Sequence, residues 1–350
     1  MGGVTNAPMA PTTLSEILGR SPPPPAFSLG YILGEPTGPY RSRTDWNNRF
    51  TYWEKPASVS EEGTIERAQS NVISAIINNL WLSDQQVLIQ PQGSYHNNTN
   101  VRTEADIDLR AVHPALKIEY NTNVHIQTAR TALGYGDYGL TFQYIFINLR
   151  AELIAELSRK FGSANVISGK KAIRIKGITG SRAEVDVVPT IRFHYVDWIS
   201  YLNRYNTTEG VAILSTEGLW TLNFPEQHTA NGVAKRARTA HRFKKVVRVL
   251  KRIRADMTDS RILTVNVPSF LVECLVYGVE DAYFLVKEDD RYDRVRRVSL
   301  RIQEMLSNST IAAKTTEINE IKKLFHPDQG WTLATAQTFA NAVVAHLGDA

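Results

Sequence analysis

The sequence predicts an α+β fold in two lobes: a mixed sheet with flanking helices, then a lobe made of helices alone. Three observations predict it. Up to Pro225, short apolar runs that read as strands alternate with long segments of helical period. From Thr229 onward nearly every segment has the helical period. The length of 350 residues suits about two domains, and 43% hydrophobic with 21% charged residues is ordinary globular composition. The expected division is 1–58, 59–225 and 226–350.

Residues 1–58 have little periodicity. Ser21-Pro22-Pro23-Pro24-Pro25 cannot continue a helix and reads as polyproline II, so this part is expected to be an extended arm. Ser58 to Leu82 reads as a helix, with Ser60, Glu61 and Glu62 as cap and acidic first turn. Ile65, Ala68, Val72, Ile73, Ile76, Ile77 and Leu80 form its apolar stripe. Val87-Leu88-Ile89 reads as a short strand broken by Gly93-Ser94. After a polar loop, Asp106-Ile107-Asp108-Leu109 reads as a second strand. A long helix is expected over Asp137–Phe161, with Ile145, Leu149, Leu153, Ile154 and Leu157 on one face. Strand pieces follow at Ala172–Lys176, Ala183–Val188 and Ile191–Tyr195, with turns at Gly177 and Gly180-Ser181. Thr221–Pro225 marks the crossing into the second lobe. Helices are expected there at 230–256, 268–279, 290–307, 315–325 and 332–347.

Composition narrows the function. No run of eighteen apolar residues exists, so no membrane span is expected, and the N-terminus does not read as a signal peptide. A single cysteine, Cys274, excludes an intramolecular disulfide and a Cys-rich zinc site, and suits a reducing cytoplasm. The net charge of +5 is uneven: from His228 to Ala255 there are ten Lys/Arg and no Asp or Glu. On a helical wheel of this segment, Phe243, Val246, Val247, Leu250 and Ile253 fall on one side, and Lys244, Arg248 and Lys251 on the other. So many positive charges without an acid suggest an anion nearby, either a nucleic acid backbone or a nucleotide triphosphate. The eight histidines have no ligand-like spacing, and His96 reads as a polar loop residue.

The carboxylates carry the chemistry. Asp106 and Asp108 are two apart in a strand, so both leave one face while Ile107 and Leu109 turn to the core. Side by side they repel, and a cation between them relieves the repulsion. Mg²⁺ suits such oxygen ligands. Gly93-Ser94 follows a strand, where backbone amides cradle phosphate. Asp186, between Val185 and Val187, is costly to bury without a partner. The pattern is Gly-Ser, eleven residues, Asp-x-Asp, then a distant apolar-Asp-apolar.

QGSYHNNTNVRTEADIDL together with EVDVVPT resembles the bacterial cGAS/DncV-like nucleotidyltransferases, the CD-NTases of anti-phage defence, within the DNA polymerase β-like superfamily. The resemblance spans roughly residues 60–347. It implies a polymerase β-like core, a long N-terminal spine helix bridging two lobes, and synthesis of a cyclic di- or trinucleotide from NTPs, ATP and/or GTP, with release of pyrophosphate. It implies two Mg²⁺ ions, or Mn²⁺, on the catalytic Asp106, Asp108 and Asp186. Gly93, Ser94 and Gln92 would lie at the donor nucleotide. Lys244 and Ser269 would close on its phosphates from the second lobe. Phe270 would stack on a base, although it reads equally as a core residue. A monomer needing no nucleic acid and no membrane is expected. A ubiquitin-transfer-like or HORMA-type regulatory partner is also implied, and the small C-terminal Gly348-Asp349-Ala350 is compatible with conjugation. Two other readings are a linear oligoadenylate synthetase or other polymerase β-like transferase, and a nucleic-acid-binding module with an inactive core.

Overall fold

The structure, a computed structural model, describes residues 42–56, 59–101, 107–136, 139–178, 181–286, 290–327 and 329–348. The readings placed before Ser42, on Asp106, on Asp137, on Asp349-Ala350 and on the capping side chains of Ser60 and Glu61 lie outside the described residues. The strands are β1 (Leu88–Gln92), β2 (Ile107–Tyr120), β3 (Val166–Ser168), β4 (Ile173–Ile175), β5 (Val185–Ile199), β6 (Arg204–Leu214) and β7 (Trp220–Asn223). The helices are α1 (Arg43–Trp53), α2 (Val59–Ile77), α3 (Leu80–Asp84), α4 (Gly93–His96), α5 (Ile126–Leu133) and α6 (Phe142–Phe161), then α7 (Pro225–Arg238), α8 (Phe243–Asp259), α9 (Ser269–Gly278), α10 (Arg291–Ser307), α11 (Ser309–Lys314) and α12 (Leu333–Leu347). Among the described residues no helix is long and apolar enough to cross a membrane.

The sheet runs β1-β2-β5-β4-β3, and β6 and β7 extend it from the distal half of β5. Among the described residues only β2 and β5 pair in parallel, which makes the sheet mixed. Ile65, Val72 and Ile76 of α2 and Leu149, Leu153 and Leu157 of α6 pack on Ile107, Leu109, Val185 and Val187. The expected stripe of the first helix ends early. Asn79 caps a new helix by accepting from the Leu82 N–H at 3.0 Å, and Ile77 and Leu80 are exposed.

The two strand pieces around Pro189 are one strand, β5. Proline is tolerated there because β4 pairs only as far as Val187 and β6 begins at Ile191, so no neighbour on that side asks for the missing N–H.

Three readings of the helical part are corrected. The expected 230–256 helix is two helices. Ala240 and His241 are both left-handed (φ 47° and 65°), and the buried Thr239 hydroxyl accepts from the Phe243 N–H at 3.1 Å to start α8. The expected 315–325 helix is a set of turns: Asn319 Oδ1 accepts from the Ile321 and Lys322 N–H groups at 2.9 and 3.0 Å, and Glu320 is left-handed. Residues 43–53, read as part of an extended arm, form α1.

Trp46, Phe50 and Trp53 of α1 enter the core of the helical domain with Phe243, Leu250, Leu271, Phe284 and Phe339. Phe50 is fully buried. Phe50→Ala is expected to lower the unfolding free energy by about 3–5 kcal/mol, read by urea denaturation. A change below about 1 kcal/mol would show that α1 is peripheral to this core.

Candidate active site

Strand register builds the floor of the site. Gln92 on β1 lies opposite Asp108 on β2, Asp108 lies opposite Asp186 on β5, and Asp186 lies opposite Arg174 on β4. Neighbours in register project from the same face, with strands about 4.8 Å apart. Ile107 and Leu109 alternate into the core, at 2% and 0% exposure, and leave the Asp108 carboxylate on the open face. Two hard carboxylates side by side are a donor set that suits a divalent cation. Arg174 meets Asp186 in a fork: Nε donates to Oδ1 and a terminal nitrogen to Oδ2, both at 3.0 Å. It also pairs with Glu184 at 3.1 Å.

Gly93 turns the chain from β1 into α4 directly over Asp108. Its φ is +75°, and a Cβ there would stand 1.9 Å from Asp108 Oδ2 and 2.6 Å from Cγ. Only glycine permits both that backbone and that approach. The Gly93 carbonyl accepts from the Asn97 amide side chain at 2.9 Å, and the Ser94 carbonyl from the Thr99 N–H at 2.9 Å.

A cavity of about 730 Å³ opens above this floor. The sheet side supplies Gln92, Gly93, Ser94, His96, Asp108 and Arg110, and the helical domain supplies His228, Lys251, Ser269, Phe270 and Glu273. Asp186 and Lys244 are not among the lining residues. Lys244 is buried, and burial pushes its ammonium below the usual lysine range; Glu273 opposes this, and Arg236 and Arg248 add to it. On this helical face the lysine that lines the cavity is Lys251, seven residues further along; Lys171 and Lys322 line it from other elements. Periodicity identified that face but not the turn of it that meets the cavity.

Sequence reading also missed Arg174, Glu273 and His228. Arg174 between two isoleucines was a local sign of a strand residue facing away from the core. No local sign marks the other two.

Glu273 is a buried acid of the site. It accepts from the Thr99 hydroxyl at 2.8 Å, from Lys251 Nζ at 3.1 Å and from His228 Nε2 at 3.1 Å. Burial alone would raise its pKa, but Lys251, His228 and Thr99 together hold it at about 2. Its folded pKa lies below its ordinary value of 4.5, so its stabilising contribution is complete above that pH. The contribution fades only as pH falls toward 2. Burial, with Arg110 and Lys244 nearby, pushes the His96 imidazole down and favours its neutral form.

The basic run is answered largely from within. Lys235 and Arg238 pair with Asp281, Lys245 pairs with Glu54, Lys251 pairs with Glu273, and Arg248 donates to the backbone carbonyls of Glu54 and Asn98. Arg248 is pushed down to about 10 by burial and stays charged at neutral pH.

With this geometry in view, comparison with known proteins is specific. Residues 230–348 match the C-terminal helical domain of cGAS/DncV-like nucleotidyltransferases. A cyclic dipyrimidine nucleotide synthase, CdnE, of Legionella pneumophila is 33% identical over 302 residues, 84% of this chain and 95% of the relative. One from Cecembia lonarensis is 29% identical over 303 residues, 86% and 97% of the two chains. The structure of the Elizabethkingia meningoseptica CdnE cyclic dinucleotide synthase with GTP and Apcpp is similar at a TM-score of 0.68 and 26% identity, covering 86% of this chain and 98% of that one. A helical domain of this kind, set over a Gly-Ser turn and a carboxylate row, places the chain in the cGAS/DncV-like nucleotidyltransferase family, in the CdnE clade of synthases that make cyclic nucleotide second messengers from NTPs.

Proposed function

We propose that the cavity takes two NTPs and that the chain joins them into a cyclic dinucleotide containing at least one pyrimidine. The observation that carries the reaction is that Gln92 and Asp108, capped by Gly93, face Lys251 and Ser269 across one cavity, with Asp186 next to Asp108 in strand register. The base choice is supported by the likeness to the two dipyrimidine synthases.

The acceptor hydroxyl oxygen attacks the donor α-phosphorus. A new O–P bond forms as the hydroxyl proton is released to solvent, and the bond to the pyrophosphate oxygen breaks, with its electron pair leaving on pyrophosphate. A second such step closes the ring. Ser94 and the Gly93 turn hold the donor phosphates from the sheet side, and Lys251 and Ser269 hold them from the helical domain. Lys251 takes this role in place of Lys244 because it lines the cavity. Phe270 offers a face to a base, stacked on its other side against His228 with ring centroids 5.6 Å apart. Asp108 and Asp186, with Asp106 from outside the described residues, would hold Mg²⁺ or Mn²⁺. Bound there, the metal lowers the pKa of the attacking hydroxyl and offsets phosphate charge. Both Asp186 oxygens accept from Arg174, and each keeps a second lone pair for a cation or a proton.

The test is incubation with labelled NTPs in every pairwise combination, with Mg²⁺ and with Mn²⁺, followed by phosphatase and mass spectrometry. A phosphatase-resistant cyclic product with a pyrimidine is expected. A phosphatase-sensitive product would make the chain a linear synthetase, and a purely purine ring would overturn the base choice alone. Lys251→Met is expected to raise the KM for NTP by about tenfold or more, as loss of a charge-assisted hydrogen bond does. The larger rise from Lys244→Met would return the role to that residue.

A further inference from the structure

We propose that Glu273 is the positioning residue that sets the phosphate-binding turn and the nucleotide grip of the helical domain in one register. The proposal rests on the reading above, in which Ser94 and Lys251 hold one triphosphate.

Three successive residues after α4 are each tied to a different helix of the helical domain. Asn97 Oδ1 accepts from the Thr229 hydroxyl of α7 at 2.9 Å. The Asn98 carbonyl accepts from Arg248 of α8 at 2.6 Å. The Thr99 hydroxyl donates to Glu273 of α9 at 2.8 Å. Asn98 is held at φ +54°, a left-handed conformation that asparagine tolerates. The loop is thus a separate strap clamped from the far side of the cavity.

The third tie differs from the others in what it reaches. Through Thr99, whose N–H donates to the Ser94 carbonyl at 2.9 Å, Glu273 fixes the turn under the phosphates. Through Oε2, the same oxygen that accepts from Thr99, it orients Lys251 Nζ at 3.1 Å. Through Oε1 it orients His228, which stacks on Phe270 at an interplanar angle of 24°. One carboxylate therefore sits behind three groups that the proposed reaction uses, from both sides of the cavity. Glu273 is 3% exposed and Thr99 is fully buried. Networks of charge-assisted bonds in such surroundings are strong and geometrically strict, and loss of one member is felt by the others.

The consequence is that Thr99, which does not line the cavity, controls NTP binding from behind it. Thr99→Val removes the hydroxyl at constant shape and is the primary variant, because Glu273→Gln leaves the buried Lys251 ammonium without its counter-charge and risks misfolding. We expect Thr99→Val to raise the KM for NTP about tenfold with a thermal midpoint near that of the wild type. In a Thr99→Val, Lys251→Met double-mutant cycle, the combined rise in KM should fall well short of the product of the single rises, since the two act through one carboxylate oxygen. An unchanged KM in Thr99→Val, or strictly multiplicative effects in the cycle, would overturn the coupling. The parent reading fails separately: if Lys251→Met and Ser94→Ala both leave the KM unchanged, the grip itself is misplaced. A raised KM in those two with no effect of Thr99→Val refutes only the register role of Glu273.

Discussion

Asp108→Asn lowers the rate of cyclic dinucleotide synthesis by about 10³-fold or more, the scale of losing a central electrostatic contact with the reacting phosphate. The substitution is nearly isosteric. Asp108 keeps its register with Gln92 and Asp186, so the sheet has no reason to change. Removing one of two adjacent negative charges relieves repulsion, so the thermal midpoint in EDTA should stay level or rise. Added Mg²⁺ should shift that midpoint less than in the wild type, because the cation has lost a ligand. Product formation is followed by chromatography and the midpoint by calorimetry. Synthesis at a near-native rate would remove Asp108 from the chemistry. A large fall in midpoint without metal would make it a structural residue.

Gly93→Ala is expected to abolish synthesis as thoroughly, by a different route. The new Cβ would meet Asp108 Oδ2 at 1.9 Å and Cβ at 2.8 Å, so either the carboxylate leaves the row or the turn leaves the floor. The left-handed φ of +75° adds about 1–2 kcal/mol of strain. Gly134→Ala is the matched control. It too is left-handed, at φ +68°, but nothing lies within 4 Å of its added Cβ. It should cost about 1 kcal/mol of stability and leave kcat and KM unchanged. If both substitutions lower activity equally, backbone strain rather than the contact with Asp108 accounts for the loss at Gly93. If Gly93→Ala retains activity, the turn is not part of the catalytic floor.

Much of the sheet side was legible because its signals are local. Alternation over Ile107-Asp108-Leu109 determines which side chains face the core, and Gly93 marks a turn that other residues resist. The stripes of α2 and α6 state which face is buried. The break at Asn78-Asn79 and the continuity of β5 through Pro189 were not legible. The first depends on a cap that asparagine makes only when the chain turns, and the second on where β4 ends and β6 begins.

The helical side shows the limit more sharply. Helical period separated Phe243, Val247 and Leu250 from Lys244, Arg248 and Lys251. It could not show that the charged face is covered as well, by the Asn98 strap, by Glu54 and by Glu273. Nor could it show that Thr239, with no glycine or proline beside it, would end one helix and begin the next. The sequence by itself determined the residue types, their spacing and the strands that carry the carboxylates. Tertiary structure alone decided which lysine of the α8 charged face meets the cavity, because the energy of a buried charge depends on partners brought from far along the chain, and periodicity carries no information about them.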